Sequence, residues 1–524
     1  MAAFEPQFTW RQGVINEKAL PVIIWSVNPL IANKELIIAQ MKETEHHVQA
    51  TMSTELAIKA QQYMKKVEVP TEYRQFAKVF SEEDSKRFPP KCAWDHAIEF
   101  KKDAPDAIDC KVYPMNRIED EAIQKFLTDE LEKGYIHESK SPYALLFFFV
   151  CKKDGKLQPV QDYRKINAIT IRNQYPLPLI ADLIRDLSNA HIYTKLDVQW
   201  GYNNVRICEG NEKKAAFKTR YGLFEPTVMY FGLTNSPVTF QMMMNFIYCD
   251  TILKHEPLGT TIHVYMDDIG IATHTNLDNH KWAVHDVLKV AQLHNLYFKP
   301  EKCLFHATSM DYLGVILEKG VTRMDPAKIA GVNTWPVPQN ATEVQKALGF
   351  FNFYRPFIKD FPFIARPLHK LTQKDQEWHW GTEEQEAFDK LKKQVTTEPI
   401  LVHAKLEDQF ELEVDALGYT VGADLLQRKE DGKRHPIGYY SATLNEAQRN
   451  YNIYDLELLA IVMALKNWRP LLAGSPHKVI IYSNHLNLQY WRLPQRISRR
   501  VAREVLELLE YDFEIRHLPG RLNG

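Results

Sequence analysis

Apolar positions along the chain change period several times, and each change predicts an element. "IEDEAIQKFLTDELEKGYI" (118–136) repeats them at helical spacing, with Gly134 as the stop signal. "YALLFFFVC" (143–151) is a continuous apolar run, about half of what a bilayer crossing needs, and reads as a strand buried on both faces. With the following "KLQPVQDY" it predicts a hairpin whose Lys-Lys-Asp-Gly-Lys tip is basic. "AHIYTKLDV" predicts a strand ending at Asp197, and "TTIHVYMDDIGIATH" a hairpin whose turn is the Asp267–Asp268 pair. After the strand-like "YLGVIL" the pattern becomes helical in "TEVQKALGFFNFYRPFI" and "EEQEAFDKLKKQV", with Thr342 as the expected N-cap. The aromatics of "FFNFYRPF" (Phe350 to Phe357) are expected in a core rather than on a base-stacking platform. Near residue 405 a new pattern opens: "FELEVDALGYTVGADLLQR" and "HPIGYYSATL" alternate as three strands, "YDLELLAIVMALKNWRPLL" is a helix, and "HKVIIYSNHL" is a strand. Three strands, a helix and a strand make a compact α/β order.

Composition narrows the class without naming a function. A chain of 524 residues exceeds one core and implies two to four domains. Its 45% hydrophobic and 25% charged residues are those of an ordinary globular protein, and a net charge of −1 leaves any nucleic-acid role to local basic patches. The 6 cysteines lie far apart, with no CxxC pair, which suggests reduced thiols and an intracellular, cytoplasmic rather than secreted protein. "MAAFEPQFTWRQG" has no signal-peptide core, and no membrane partner is expected.

The adjacent acids Asp267 and Asp268 in an apolar run admit two readings, a solvated hairpin tip or half of a divalent-metal site. If the strand ending at Asp197 lies beside that hairpin, three carboxylates converge at one sheet edge and require cations; hard Mg²⁺ suits oxygen ligands. Two such ions about 4 Å apart clamp the attacking and leaving oxygens of a phosphoryl displacement. The surrounding features fit a nucleotide polymerase. Lys152, Lys153 and Lys156 on the basic tip face a triphosphate, and Tyr202 can wall off a sugar 2′ position. "FGLTNSPVTFQ" (231–241) is a glycine-containing turn entering a helix, and Lys302 in "FKPEKC" is a proton donor for pyrophosphate.

Taken in order, "SPYALLFFFVCKKDGKLQPVQDYRKINAIT", "YTKLDVQWGYNNVRI", "GLFEPTVMYFGLTNSPVTFQ", "YMDD" and "YLGVIL" resemble the successive motifs of reverse transcriptases, and most nearly those of gypsy-type LTR retrotransposons of fungal kind. The resemblance covers about residues 90 to 524. It implies an α/β multidomain fold: a right-hand polymerase of fingers, palm and thumb, followed by a ribonuclease H-like α/β domain. The corresponding division is an N-terminal extension or linker (1–70), fingers and palm (71–323), thumb and connector (324–404), and a C-terminally truncated ribonuclease H-like domain (405–524). By the same resemblance, Asp197, Val198 and Asp267 hold two Mg²⁺ ions, with Mn²⁺ as an alternative, and Asp268 stands at the primer end. Tyr202 becomes the steric gate, Phe231 packs at the incoming nucleotide, and Leu313 and Gly314 lie in the primer grip. One departure concerns the triphosphate: where the family usually reads "KLRPVQDYR", this chain has Gln158, a hydrogen-bond donor without the guanidinium charge.

The resemblance also implies a nuclease site of four acids, and here the chain departs further. Asp415 in "EVDALG" and Glu457 in "YDLELLA" fit two positions, but "YSNH" puts Asn484 where an Asp normally stands, and the chain ends at "LPGRLNG" before the fourth acid. An amide cannot supply an anionic ligand, so nuclease activity is expected to be lost or nearly so. In "RISRRVAR", Arg496, Arg499, Arg500 and Arg503 share one helical face, either a solvated surface or phosphate contacts along a hybrid. The expected function is RNA-directed DNA synthesis from dNTPs on an RNA template with a DNA primer, with RNA–DNA hybrid as the product held. The family includes dimers, and with it a homodimer as a partner state. The rival readings are a bifunctional polymerase with a working nuclease and a domesticated, non-catalytic nucleic-acid-binding protein.

Overall fold

The computed structural model describes residues 11–15, 18–22, 69–151, 157–374, 376–397, 400–417, 419–486, 488 and 507–518. The chain divides into a first unit, Met1–Lys65, and a second, Lys66–Gly524. The first contributes one antiparallel hairpin, β1 (Arg11–Ile15) with β2 (Lys18–Val22). In the second, the described strands form four sheets.

A six-stranded sheet holds β3 (Ile108–Asp109), β4 (Ile136–Glu138), β5 (Tyr143–Cys151), β6 (Leu157–Asp162), β8 (Phe217–Thr219) and β9 (Gly222–Pro226). A second sheet holds β7 (Ile192–Asp197), β10 (Thr260–Tyr265), β11 (Asp268–Thr273) and β12 (Leu304–Ala307), in the order β10-β11-β7-β12. A third sheet joins β13 (Ser309–Tyr312), β14 (Val315–Glu318), β15 (Val321–Met324) and β16 (Leu401–Val402). The last contains β17 (Phe410–Leu417), β18 (Thr420–Arg428), β19 (Arg434–Thr443), β20 (Val479–Ser483) and β21 (Phe513–His517), ordered β19-β18-β17-β20-β21, with β20 parallel to both neighbours. Strands, then helices, then strands of a different connectivity give the fingers, palm, thumb and ribonuclease H-like layers expected of the sequence.

The sheet of β7 and β11 owes its position to its two faces. Leu196, Ile269 and Ile271 are buried with Phe240, Met244 and Val287 of the helices Ser236–His255 and Leu277–Leu293. Tyr193 and Ala272 on the other face join the separate core of the thumb helices Ala341–Phe353, Phe361–Lys370 and Thr382–Thr396. Gly270 is required by close approach there: a Cβ would stand 3.0 Å from both Leu187 and Tyr312. Burial of both faces leaves only the strand ends open, and the acids sit at those ends.

Several local expectations hold and several shift. The helix Arg117–Glu132 starts with an Asn116–Glu119 capping box and stops before Gly134, at φ 72°. The thumb helix begins two residues earlier than Thr342 suggests: Asn340 is its N-cap, and its side chain accepts from the Glu343 N–H, the N3 donor, at 3.0 Å. "YLGVIL" is not one strand but a turn between β13 and β14, with Leu313 at φ 47° and Gly314 at φ 93°. β5 is buried on both faces only over its first half; Val150 is exposed, since β5 and β6 run out past the core toward their tip. Phe351, Tyr354 and Phe357 are core as expected, whereas Phe353 is exposed against Lys328.

Candidate active site

Antiparallel pairing of β7 with β11 sets Asp268 directly opposite Asp197. The hairpin turn is Met266–Asp267, not the Asp pair itself, because Tyr265 pairs with Asp268 and so draws Asp268 into the strand. Asp267 is joined to the same place by its carbonyl, which accepts from Val198 N–H at 2.7 Å. The two strand ends thus bring all three acids together. Asp197 is 7% exposed, and its two oxygens differ: Oδ2 accepts from Lys302 Nζ at 2.9 Å, whereas Oδ1 is buried without a hydrogen-bond partner.

A buried carboxylate oxygen left unmet is costly unless a cation completes it. Among the described residues no three acidic, histidine or cysteine side chains form a ready-made cation cage. Amines take that place, with Lys302 on Asp197 and Lys195 at 3.5 Å from Asp268 and 3.2 Å from Asp311. Burial raises the Asp268 carboxyl, the charges of Asp267 and Asp197 add to the rise, and Lys195 opposes it. Burial lowers the Lys302 amine, but its bond to Asp197 and the neighbouring acids more than offset this and hold it above the ordinary value. An orphaned anionic oxygen in a cluster of three acids, with the ammonium groups acting as the present counter-charge, is a donor set that fits hard divalent cations. Val198 is buried beside the acids through its bridge to Phe298.

Of the motif residues, Tyr202 and its neighbour Phe231 lie beside these acids. Tyr202 packs edge-on to Phe231 with ring centres 4.7 Å apart, and Phe231 is 63% exposed, so its outer face is open. Burial and then the Asp267 charge push the Tyr202 phenol up to about 12, keeping it neutral. Gln158 pairs with Val150 in the β5–β6 hairpin. Lys152, Lys153, Lys156, Arg496, Arg499, Arg500 and Arg503 lie outside the described residues. At the Leu313–Gly314 turn, Tyr354 donates its hydroxyl to the Gly314 carbonyl at 3.1 Å. In the last sheet, Asn484 Nδ2 donates to Asp415 Oδ1 at 3.1 Å, and Glu457, 2% exposed, accepts from Ser483 Oγ at 3.2 Å.

Two contributors escaped the sequence reading. Gln241, the last letter of the "FGLTNSPVTFQ" motif, is fully buried; its Oε1 accepts from Met266 N–H at 2.8 Å and its Nε2 donates to the Val264 carbonyl at 2.8 Å, pinning the Asp267 turn. Lys195 stands one alternation before Asp197 on the same strand face, a signal that period 2 carries but that no motif marked.

Residues 150–317 match the family model "Reverse transcriptase (RNA-dependent DNA polymerase)", and residues 380–481 match "RNase H-like domain found in reverse transcriptase". The second match begins ahead of residue 405 and takes in the Thr382–Thr396 helix, whose buried side chains pack with the thumb. The chain is 33% identical over 471 residues to the Tf2-3 and Tf2-7 transposon polyproteins of Schizosaccharomyces pombe, across 89% of its own length. It spans about a third (34%) of those relatives. In fold it is similar to the foamy viral protease-reverse transcriptase solved in complex with double-stranded DNA (TM-score 0.72, 19% identity, 87% of this chain and 81% of that one). The same viral protein in complex with an RNA/DNA hybrid gives a TM-score of 0.68 at 19% identity, over 97% of this chain and 66% of that one. In the described residues, no helix is long and apolar enough to cross a membrane. Strand order, acidic hairpin and both family matches agree: the chain carries a reverse transcriptase domain followed by a ribonuclease H-like domain, and along most of its length it is similar to transposon polyproteins.

Proposed function

We propose that this chain is an RNA-directed DNA polymerase that extends a DNA primer on an RNA or DNA template, and that its ribonuclease H-like domain is inactive or nearly so. The observation that carries the first part is the unpartnered Asp197 oxygen beside Asp267 and Asp268. Reverse transcriptases generally depend on divalent metal, and Asp197, Asp267 and the Val198 carbonyl would hold two Mg²⁺ (or Mn²⁺) ions, which supply charge neutralisation at the phosphoryl group. Around them the protein's own groups bind and orient. Phe231 and Tyr202 bound the sugar, Gln158 with Lys152 and Lys153 meets the triphosphate, and the Leu313–Gly314 turn supports the primer. Lys302, held protonated by Asp197 and its neighbours, is placed to protonate the leaving pyrophosphate. The work is intracellular, on dNTPs, a primed template and the hybrid it makes, with self-association as a homodimer open to the same fold.

For the second part, the Asn484 amide donates a hydrogen bond to Asp415 where an acid would share a cation with it. Primer extension on an RNA template, with wild type and Asp267→Asn compared, tests the polymerase; extension by both at equal rates refutes it. Rapid cleavage of an end-labelled RNA–DNA hybrid by the wild type in Mg²⁺ would overturn the nuclease inference.

A further inference from the structure

Between Asp197 and Tyr202 lies a residue to which nothing above gives a role. Trp200 adopts φ 53° and ψ 39°, the left-handed region that bulky side chains rarely enter unless their surroundings force them to. Here the surroundings do. Asn204 Nδ2 reaches the carbonyl oxygens of Gln199, Trp200 and Gly201 at 3.1, 3.1 and 3.3 Å, and Gln199 N–H donates to the Tyr297 carbonyl at 2.7 Å. A Cβ on Gly201 would stand 3.2 Å from the Phe240 ring and 3.6 Å from Asp267 Cβ, so the turn threads a tight gap beside the acids.

The indole is 46% exposed, yet amines from two different elements stand over its ring. Lys133, at the C-cap of the Arg117–Glu132 helix, lies 5.9 Å from its ring centre, and Lys299, whose N–H donates to the Asp197 carbonyl at 3.0 Å, lies 5.8 Å away. Lys133 is paired with Glu130 at 2.7 Å, and Glu130 in turn accepts from the hydroxyl of Tyr230, the neighbour of Phe231. The path closes on itself. One arm runs from the Trp200 turn through Lys133, Glu130 and Tyr230 to Phe231; the other is the direct ring contact of Tyr202 with Phe231.

We propose that Trp200 is a positioning residue for sugar discrimination, setting how closely Tyr202 stands to Phe231 and hence the room left at the 2′ position of the incoming nucleotide. The inference rests on the polymerase reading above. If the wild type fails to extend any primer, that reading falls and takes this one with it; the outcomes below apply to an active wild type.

Single-nucleotide extension is measured with matched deoxy- and ribonucleotides for wild type, Trp200→Ala, Trp200→Gly and Trp200→Phe. The expected result for Trp200→Ala is a deoxy-over-ribo preference in kcat/KM reduced about tenfold, with kcat for the deoxynucleotide changed less than about twofold. Trp200→Phe, which keeps a ring between the amines, should recover most of the preference. Trp200→Gly, which relieves the backbone but removes the ring, should resemble Trp200→Ala. An unchanged preference in Trp200→Ala, or a wild-type preference in Trp200→Gly, overturns the proposal. Should Trp200→Ala fail to fold, Lys133→Gln and Lys299→Gln together carry the same test: reduced preference supports the role, and an unaltered one overturns it.

Discussion

Replacing Gln241 by Met removes one side-chain amide and leaves packing nearly intact, since Met is close in volume and adapts its shape. The amide makes three contacts: it accepts from Met266 N–H at 2.8 Å, and donates to the Val264 carbonyl at 2.8 Å and to Asn245 Oδ1 at 2.7 Å. Asn245 keeps a bond to the Tyr175 hydroxyl, but the two backbone groups lose their side-chain partner under a fully buried residue. At roughly 1–3 kcal/mol for each of the two buried groups left unmet, the variant should lose about 2–6 kcal/mol of stability. Met266 sits at φ 56°, a conformation that a non-glycine residue holds only when it is tied down, and Asp267 follows it. Freed of its tie, the turn lets Asp267 wander, and a displacement of about 1 Å is enough to cost roughly 10²-fold in rate. Urea unfolding of the purified chain gives the first quantity and single-nucleotide primer extension the second, with kcat expected to fall more than KM rises. A Met variant with stability within about 0.5 kcal/mol and kcat within about twofold of wild type would refute the positioning role.

Three further outcomes follow from the same geometry. Burial, and then the Asp415 charge, raises Glu457 from 4.5 to about 7, so the folded state binds the extra proton; stability is fully present below pH 4.5 and declines as pH rises toward 7, by up to roughly 3 kcal/mol. Denaturation against pH in chelator should show this slope in wild type and a flattened one in Glu457→Gln; equal slopes would sink the assignment. Asp424, pushed up to about 6 by burial, faces Lys359 Nζ at 3.0 Å, where the thumb meets the last sheet. Lys359→Ala, which leaves that carboxylate unmatched, should cost about 2–3 kcal/mol, discounted for the partial exposure of the lysine, and Asp424→Asn less. The double variant should recover part of the loss, and strictly additive costs would exclude the coupling. Gln158→Arg should lower the nucleotide KM several-fold by restoring a charged, forked donor at that position; an unchanged KM would dismiss a role for it at the triphosphate.

Much of this fold was readable because the signals were local. The Arg117–Glu132 helix declared its apolar stripe and its glycine stop, and β17 to β20 declared their alternation. Readings slipped where two local signals competed. Asn340 and Thr342 are both good caps, and only packing of Val344 and Ala347 against the thumb core selects the first. "YLGVIL" alternates like a strand, yet Leu313 and Gly314 turn it, because β13 and β14 gain more by pairing with each other than by continuing. Gln241 belonged to a motif already singled out, but its partner lies 25 residues on.

By itself the sequence determined the kinds of element and the acids at strand ends, and also the departures at Gln158 and Asn484. All of these depend on side-chain type and short spacing. Only the tertiary structure decided that Asp268 faces Asp197 while Asp267 occupies the turn, that Lys302 and Lys195 supply the counter-charge, and that Asn484 donates to an acid 69 residues away. The physical reason is register. A strand's period of two says which face a residue takes but not which residue of another strand it meets, and a slip of one position would turn every one of these side chains to the opposite face.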